Sequence, residues 1–582
     1  MHPNTSLLFH KQSTHRMTDV HIVLIGGGPR ALVTLNALYH ALRNVAVSDQ
    51  ISIIVIDPHE GGIGCHDPNQ PDYLFTNTLA SQVTAFYPLT SEVEDAGWIT
   101  GPSFIEWANR SEVRNDDKRC FHSDESQLVS KLSYLPRSLL GQYLRWAFQM
   151  IVARFPNSIK FCQRYAVALF VKRTANGFCI GLDDNTEQAA DYIFMSTGHS
   201  TNCLSTTNKN LRNFAIRRLT KNPYIAFFTR CYPTSALKAI SSEATVAIQG
   251  LGLTAWDAIA ELTEGRGGKY ITNKNGHLVY LSSGDEPKIL LYSRNCLPST
   301  ARGINQKGLT RQHPARFFTP QALTNLRAEK KRTTGSAQLD FKLEVLPLLK
   351  CEMAFAYRMV ATGLSIDSEV FIPTHAEMAA IDVALDPFMN QHFESFTDYR
   401  TAFWEYIRED LAEADKGNLS APIKAATDVI RDCRATICMA VDFRGLTPDS
   451  ERWFRTTFIP IMNRVAFGPP KFRNHQLLAM FEAGIIDLAT GPNSVLSTDE
   501  ASGKFVLTSE FNNHKNQTLI DVLIIARLDS FLPEIDENPL TLSLLSEGLV
   551  RPYRNGDSAP GGLDINRDHQ PIDRNGRPTP NL

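Results

Sequence analysis

The chain has 582 residues, with 59 Lys and Arg against 61 Asp and Glu, a formal net charge of −2. A balance so close to neutral gives no electrostatic reason to expect nucleic acid or an anionic membrane surface as a partner. No apolar run reaches the length of a membrane span, and residues 6–10 are too short for the core of an export signal.

Residues 1–19 read as a flexible polar leader, with Met17 as an alternative start. The apolar run 21–25 then enters Gly26-Gly27-Gly28-Pro29-Arg30-Ala31, a glycine turn between a predicted strand and a predicted helix. In such a turn Gly26 permits the tight bend, Gly28 lets the backbone approach a pyrophosphate, and Ala31 is small enough for the helix to pack on its sheet. Pro29 is placed with these residues at the cofactor, and the helix N-terminus offers unpaired N–H groups to phosphate. The next buried strand, 51–56, ends in Asp57, whose carboxylate can accept both hydroxyls of an adenosine ribose. The alternative is that Asp57-Pro58 only ends a strand in a turn.

Further on, residues 61–64 carry Gly-Gly-Ile-Gly, and 161–182 alternate like a β-meander with a turn at Ala175-Asn176-Gly177. Residues 191–198 read as a strand ending in a Thr197-Gly198 turn. A second fingerprint follows some 220 residues after the first, where the run 245–249 enters Gly250-Leu251-Gly252-Leu253-Thr254-Ala255. Its partner strand, 288–293, ends in Ser293-Arg294 in place of a carboxylate. A hydroxyl and a guanidinium suit a 2′-phosphate, so this site selects NADPH over NADH unless Arg294 is only a solvated loop residue. An Asn-Gly turn at 275–276 predicts a hairpin between helix and strand.

From 321 to 504 the periodicity is mostly helical, with Pro347 kinking or restarting the helix around 339–358. The expected fold class is α/β, with two Rossmann-like dinucleotide-binding domains and a largely helical insertion. The expected boundaries are 20–205 with 505–582 for FAD, 235–320 for NADPH, and 321–504 for the helical part. The ten cysteines are scattered, and only Cys433 and Cys438 lie close together; no spacing resembles a zinc site or the redox pair of a disulfide reductase. Two dinucleotide sites in one chain point to electrons passing between FAD and NADPH.

The motifs at 25–30, 75–80, 135–137, 196–199, 250–255 and 292–302 together resemble the bacterial FAD/NAD(P)-binding proteins related to flavin-dependent N-monooxygenases. That family includes the aspartate N-oxygenases that form nitrosuccinate. The similarity continues through Arg434, Asn463-Arg464 and 468–470. The resemblance implies a monooxygenase that N-hydroxylates a small amine or amino acid with O₂ through a C4a-hydroperoxyflavin. It also places Asn77, Thr78, Arg137 and His199 around the flavin. Asn77 and Thr78 equally suit a helix cap, Arg137 a structural salt bridge and His199 a structural role. Arg137, Arg302 and Arg434 are the candidates to anchor a substrate carboxylate, and the catalytic residues remain open. The chain stops soon after an Ile572-Asp573 segment where related flavoproteins continue, which leaves tight FAD binding in question. The alternatives are a reductase or oxidase passing electrons to a partner, and a flavin-deficient binding protein. The expected location is the cytoplasm, with a small molecule and O₂ as partners; no metal is expected.

Overall fold

A computed structural model describes residues 19–43, 50–87, 96–110, 129–308, 312–512 and 514–582. The expected leader lies almost entirely outside these residues. Two parallel sheets dominate, and each is built around one glycine fingerprint.

In the first sheet, β1 (Val20–Ile25) turns through the glycines into helix α1 (Pro29–Leu42) and returns as β2 (Ile51–Ile56). Helix α2 (Arg137–Val152) leads to β3 (Ile159–Arg164), and β4 (Tyr192–Met195) completes the order β3-β2-β1-β4, all parallel. The strands are near-continuous apolar runs because both faces are covered. On one face Leu24, Ile53 and Val55 pack with Leu32 and Leu35 of α1 and Tyr143 and Ala147 of α2. On the other, Val23 and Ile54 pack with the antiparallel meander Ala168–Thr174, Gly177–Leu182 and Glu187–Ala190. The expected turn after Thr174 joins the first two meander strands, but 159–164 leaves the meander for the parallel sheet.

The second sheet repeats the plan. It contains β5 (Ala226–Phe228), β6 (Thr245–Gln249), β7 (Lys288–Tyr292), β8 (Ile486–Leu488) and β9 (Val522–Ile525). Their order is β8-β7-β6-β9-β5, again parallel throughout. Helix α3 (Leu253–Leu262) follows the second glycine turn. The Asn-Gly turn closes a hairpin between Lys269–Thr272 and Leu278–Leu281.

This arrangement corrects the expected boundary at 505. Strand β9 pairs with β6 of the second sheet, and Lys504–Phe511 and His514–Ile520 pack beside that sheet through Phe505, Leu507 and Ile520. Only the later part of the tail joins the first unit, where Leu540, Leu544 and Val550 complete the core over Val23 and Ile54. There the Ile193 N–H donates to the Asn581 carbonyl at 2.8 Å, so the final residues lie along the outer edge of β4.

The helical insertion leaves the second sheet after β7 and returns at β8. Pro347 restarts the chain as Leu346–Thr362 after one π-helical turn, Phe341–Val345, and the helical run 422–441 breaks at Cys433 into Pro422–Asp432 and Arg434–Val441. Phe341, Met353, Val429 and Phe458 form its separate core. Helix α4 (Lys471–Glu482) instead packs its Leu477 and Met480 on the second sheet.

Candidate dinucleotide sites

At the end of β1, Gly26 has φ +99° and donates its N–H to the Ile56 carbonyl at 2.9 Å. A Cβ here would stand 2.3 Å from the Ser196 carbonyl oxygen, so only glycine passes. Gly28 caps α1 with its backbone alone: no side chain caps the helix and no acid occupies its first turn. Pro29 is exposed at the first helical position and Ala31 is fully buried against the sheet. The positive end of the helix thus stays open to an anion. Asp57 accepts the Gly27 N–H at 2.7 Å and the His59 N–H at 2.8 Å, which ties the end of β2 to the glycine loop.

A second glycine group, outside the site expected from sequence, completes this loop. The Gly62 N–H donates to the Gly27 carbonyl at 2.6 Å. A Cβ on Gly64 would lie 2.9 Å from Pro29 Cδ. Its sequence signal is the Gly-Gly-x-Gly spacing only four residues past Asp57.

The second loop is built the same way. Gly250 has φ +138°, donates to the Tyr292 carbonyl at 2.9 Å, and a Cβ would sit 2.7 Å from the Ala526 carbonyl oxygen. Gly252 caps α3 without a side chain, and a Cβ there would meet nothing within 4 Å. Ala255 is buried, and the Thr254 carbonyl accepts the Cys231 thiol. Where Asp57 stands in the first unit, the second has Ser293, whose hydroxyl accepts the Cys296 N–H at 3.0 Å, and exposed Arg294. Among the described residues Arg294 reaches only the Thr456 carbonyl at 3.0 Å and the Asn295 amide at 3.3 Å, and no carboxylate neutralises its charge.

The other expected site residues separate. Neither Asn77 nor Thr78 caps a helix: the short turn that follows, Ala80–Gln82, starts from Leu79 without a side-chain cap. The Asn77 carbonyl accepts Arg302 Nη1 at 2.7 Å. Gly198 has φ +77° in open space, and His199 beside it is exposed. Arg137, expected at a cofactor phosphate or a substrate carboxylate, gives both guanidinium arms to Asp257 at 2.5 and 3.2 Å and its Nε to the Phe75 carbonyl at 3.0 Å. The ion pair with Asp257 is the kind of salt bridge its structural alternative called for. Asp257 lies 120 residues away on α3, beyond any local sequence signal.

Arg434 is exposed and stacks over the Phe467 ring at 5.7 Å. Arg302 differs from both. It is half-buried beside Tyr134, its Nε is buried without a partner, and burial holds its pKa below the usual value. Nearby Asp428 is already engaged by Asn418 at 2.7 Å and Arg431 at 2.8 Å. A cavity of about 700 Å³ opens in the helical insertion between Phe355, Met359 and Asn418, and no site residue expected from sequence lines it. Among the described residues no cluster of His, Cys, Asp and Glu could hold a metal, and no helix is long and apolar enough to cross a membrane.

Two glycine loops that exclude side chains at the turn, each feeding an uncapped helix, fit two dinucleotides. Comparison with known proteins agrees. Residues 23–200 match the family described as FAD-NAD(P)-binding. An L-aspartate N-monooxygenase (nitrosuccinate-forming) from Streptomyces davaonensis is 30% identical, with 92% of this chain and 86% of the relative covered. A nitrosuccinic acid synthase from Aspergillus oryzae is 29% identical over 96% of this chain and 86% of its own. Among solved structures, the FAD-bound cadaverine monooxygenase from Erwinia amylovora aligns with a TM-score of 0.39 at 11% identity, covering 96% of this chain and 86% of that one. The chain therefore belongs to the flavin-dependent N-monooxygenases, the FAD- and NAD(P)-binding oxidoreductases that include the nitrosuccinate-forming aspartate N-monooxygenases.

Proposed function

We propose that this enzyme uses NADPH and O₂ to oxidise the amino group of a small acidic amino acid, with L-aspartate, the substrate in its relatives' names, as the first candidate. The observation that carries the substrate class is Arg302. Of the three arginines able to anchor a carboxylate, it alone is half-buried with an unpartnered Nε, and it touches the Asn77 segment. A desolvated guanidinium with no carboxylate in salt-bridge contact among the described residues favours a carboxylate strongly, and a planar fork fixes how that carboxylate lies.

FAD is assigned to the first loop: Gly26, Gly28, Pro29 and Ala31 around the pyrophosphate, Asp57 at the ribose, and Asn77, Thr78 and Gly198 toward the flavin ring. NADPH is assigned to Gly250, Gly252, Thr254 and Ala255, with Ser293 and Arg294 at the 2′-phosphate. Arg137 is left out of both sets because Asp257 takes its charge. Once bound, the cofactors supply the reducing equivalents and the activation of O₂. The protein binds and orients the reactants, and Arg302 holds the amino acid by its carboxylate. We place the reaction in the cytoplasm.

The test is NADPH consumption with a panel of small amino acids, with products identified by mass spectrometry. Oxygenated product from aspartate or another dicarboxylic amino acid supports the reading. NADPH consumption that yields only hydrogen peroxide with every acidic amino acid overturns it.

A further inference from the structure

The two dinucleotide units meet at a buried polar junction that neither glycine loop requires. Arg137, first residue of α2 on the flavin side, donates its backbone N–H to the Leu74 carbonyl at 2.8 Å and its Nε to the Phe75 carbonyl at 3.0 Å. Its remaining arms grip Asp257, which is 3% exposed on α3, just past the loop assigned to NADPH. The Tyr232 hydroxyl donates to the same carboxylate. One turn further along α3, Glu261 accepts the Tyr73 hydroxyl at 2.9 Å. Burial works against the charge on Arg137, but Asp257 and Tyr232 outweigh it and keep the guanidinium protonated.

A buried ion pair is a poor way to glue two surfaces together, since desolvation cancels much of the attraction and apolar contacts hold as well. A two-armed guanidinium–carboxylate pair does fix distance and angle, because both hydrogen bonds form in only one relative orientation. Helix α3 carries the second glycine loop at its N-terminus, so its bearing sets where a bound nicotinamide lies. Displacements of about 1 Å between reacting groups can cost about a hundredfold in rate.

We infer that the Arg137–Asp257–Tyr232 junction is a positioning device for electron transfer: it fixes the NADPH-binding helix relative to the flavin-side segment around Phe75. The inference rests on the two-cofactor reading above. In the step it serves, a hydride carrying two electrons leaves the reduced nicotinamide, which becomes oxidised, and reduces the flavin; a proton from solvent completes the reduced flavin.

The test compares the FAD-loaded wild type with Asp257→Asn and Tyr232→Phe, measuring NADP⁺ affinity and anaerobic flavin reduction at saturating NADPH. Amide hydrogen exchange of residues 253–262 is followed in the protein without either dinucleotide. The expected result for Asp257→Asn is reduction slowed by about tenfold or more, NADP⁺ affinity within about threefold, and faster exchange in α3. Tyr232→Phe keeps the ion pair and folds where the harsher variant does not; it should slow reduction a few-fold at unchanged affinity. Reduction at the wild-type rate in Tyr232→Phe and in any folded Asp257→Asn overturns the inference alone, even if exchange rises. Affinity and reduction falling in parallel also overturn it, by making the junction part of the binding site. A wild type that NADPH cannot reduce overturns the cofactor reading and the inference with it.

Discussion

The space that Gly26 leaves empty is filled by the carbonyl of Ser196: a side chain at position 26 would begin 2.3 Å from that oxygen. Gly250 stands in the same relation to Ala526, at 2.7 Å. In each unit the fingerprint's first glycine fits under the turn leaving the neighbouring strand, β4 or β9. Both also have a positive φ, so substitution adds backbone strain to the collision. Gly26→Ala and Gly250→Ala should each cost about 2 kcal/mol or more in chemical denaturation. Gly252→Ala, with open space around it, should stay within about 0.5 kcal/mol of the wild type. Its loss should appear instead as weaker NADP⁺ binding, read by titration, because under the proposed cofactor assignment the new methyl enters the open space where the backbone would approach the pyrophosphate.

Arg294 should govern the choice of nicotinamide cofactor. Among the described residues its charge meets only a backbone carbonyl and a side-chain amide, so it is available to a phosphate. Arg294→Ala should lower the ratio of kcat/KM for NADPH to that for NADH by about 10- to 100-fold. FAD content, read from absorbance, should not change.

Arg302→Lys should separate substrate binding from flavin reduction. A lysine keeps the charge but loses the planar fork. KM for the acidic amino acid should rise by about tenfold or more, with anaerobic reduction by NADPH in its absence within about twofold of the wild type. Equal losses in both would place Arg302 at the cofactor.

His66 makes stability pH-dependent. Burial, followed by the nearby Arg137 charge, lowers its pKa to about 4, from the usual 6.5 of a free imidazole. Between those values the unfolded chain binds a proton that the folded chain does not, so stability falls as pH drops through that window and is recovered above it. After allowance for solvent screening the loss at pH 5 is on the order of 1–2 kcal/mol. His66→Gln should flatten the corresponding part of the Tm profile between pH 7 and pH 5, measured by scanning calorimetry.

Both glycine loops were legible from sequence because everything that makes them is local: a buried strand, a turn needing glycine, and a helix needing a small residue. The ends of β2 and β7 were legible for the same reason, with Asp57 in one and Ser293-Arg294 in the other. The partner of β9 was not. An apolar run such as 522–526 reports burial on both faces, and either sheet satisfies it. Pairing is settled by Val522 and Ile524 lying beside Val246 and Ile248, a long-range match. Arg137 shows the same limit, since a structural salt bridge was among its readings while the carboxylate on α3 that makes it was not. Arg302 was one of three equal candidates until burial and hydrogen bonding told them apart.

Three arginines from separate parts of the chain hold one short segment. Arg473 of α4 takes the carbonyl of Tyr73, Arg137 takes that of Phe75, and Arg302 takes that of Asn77. Every one of these grips is on the main chain, which any amino acid provides. Those three hydrogen bonds therefore do not depend on which side chains stand at 73 to 78, although the Phe75 ring also packs against Arg473 and the Tyr73 hydroxyl reaches Glu261. Selection acting on what this strip presents to a reactant is thereby uncoupled from selection acting on how the strip is fastened. Half-buried Asn77 and Thr78 are consequently where a library seeking altered substrate preference would be sown, with the three arginines and the packed residues 73–76 left untouched.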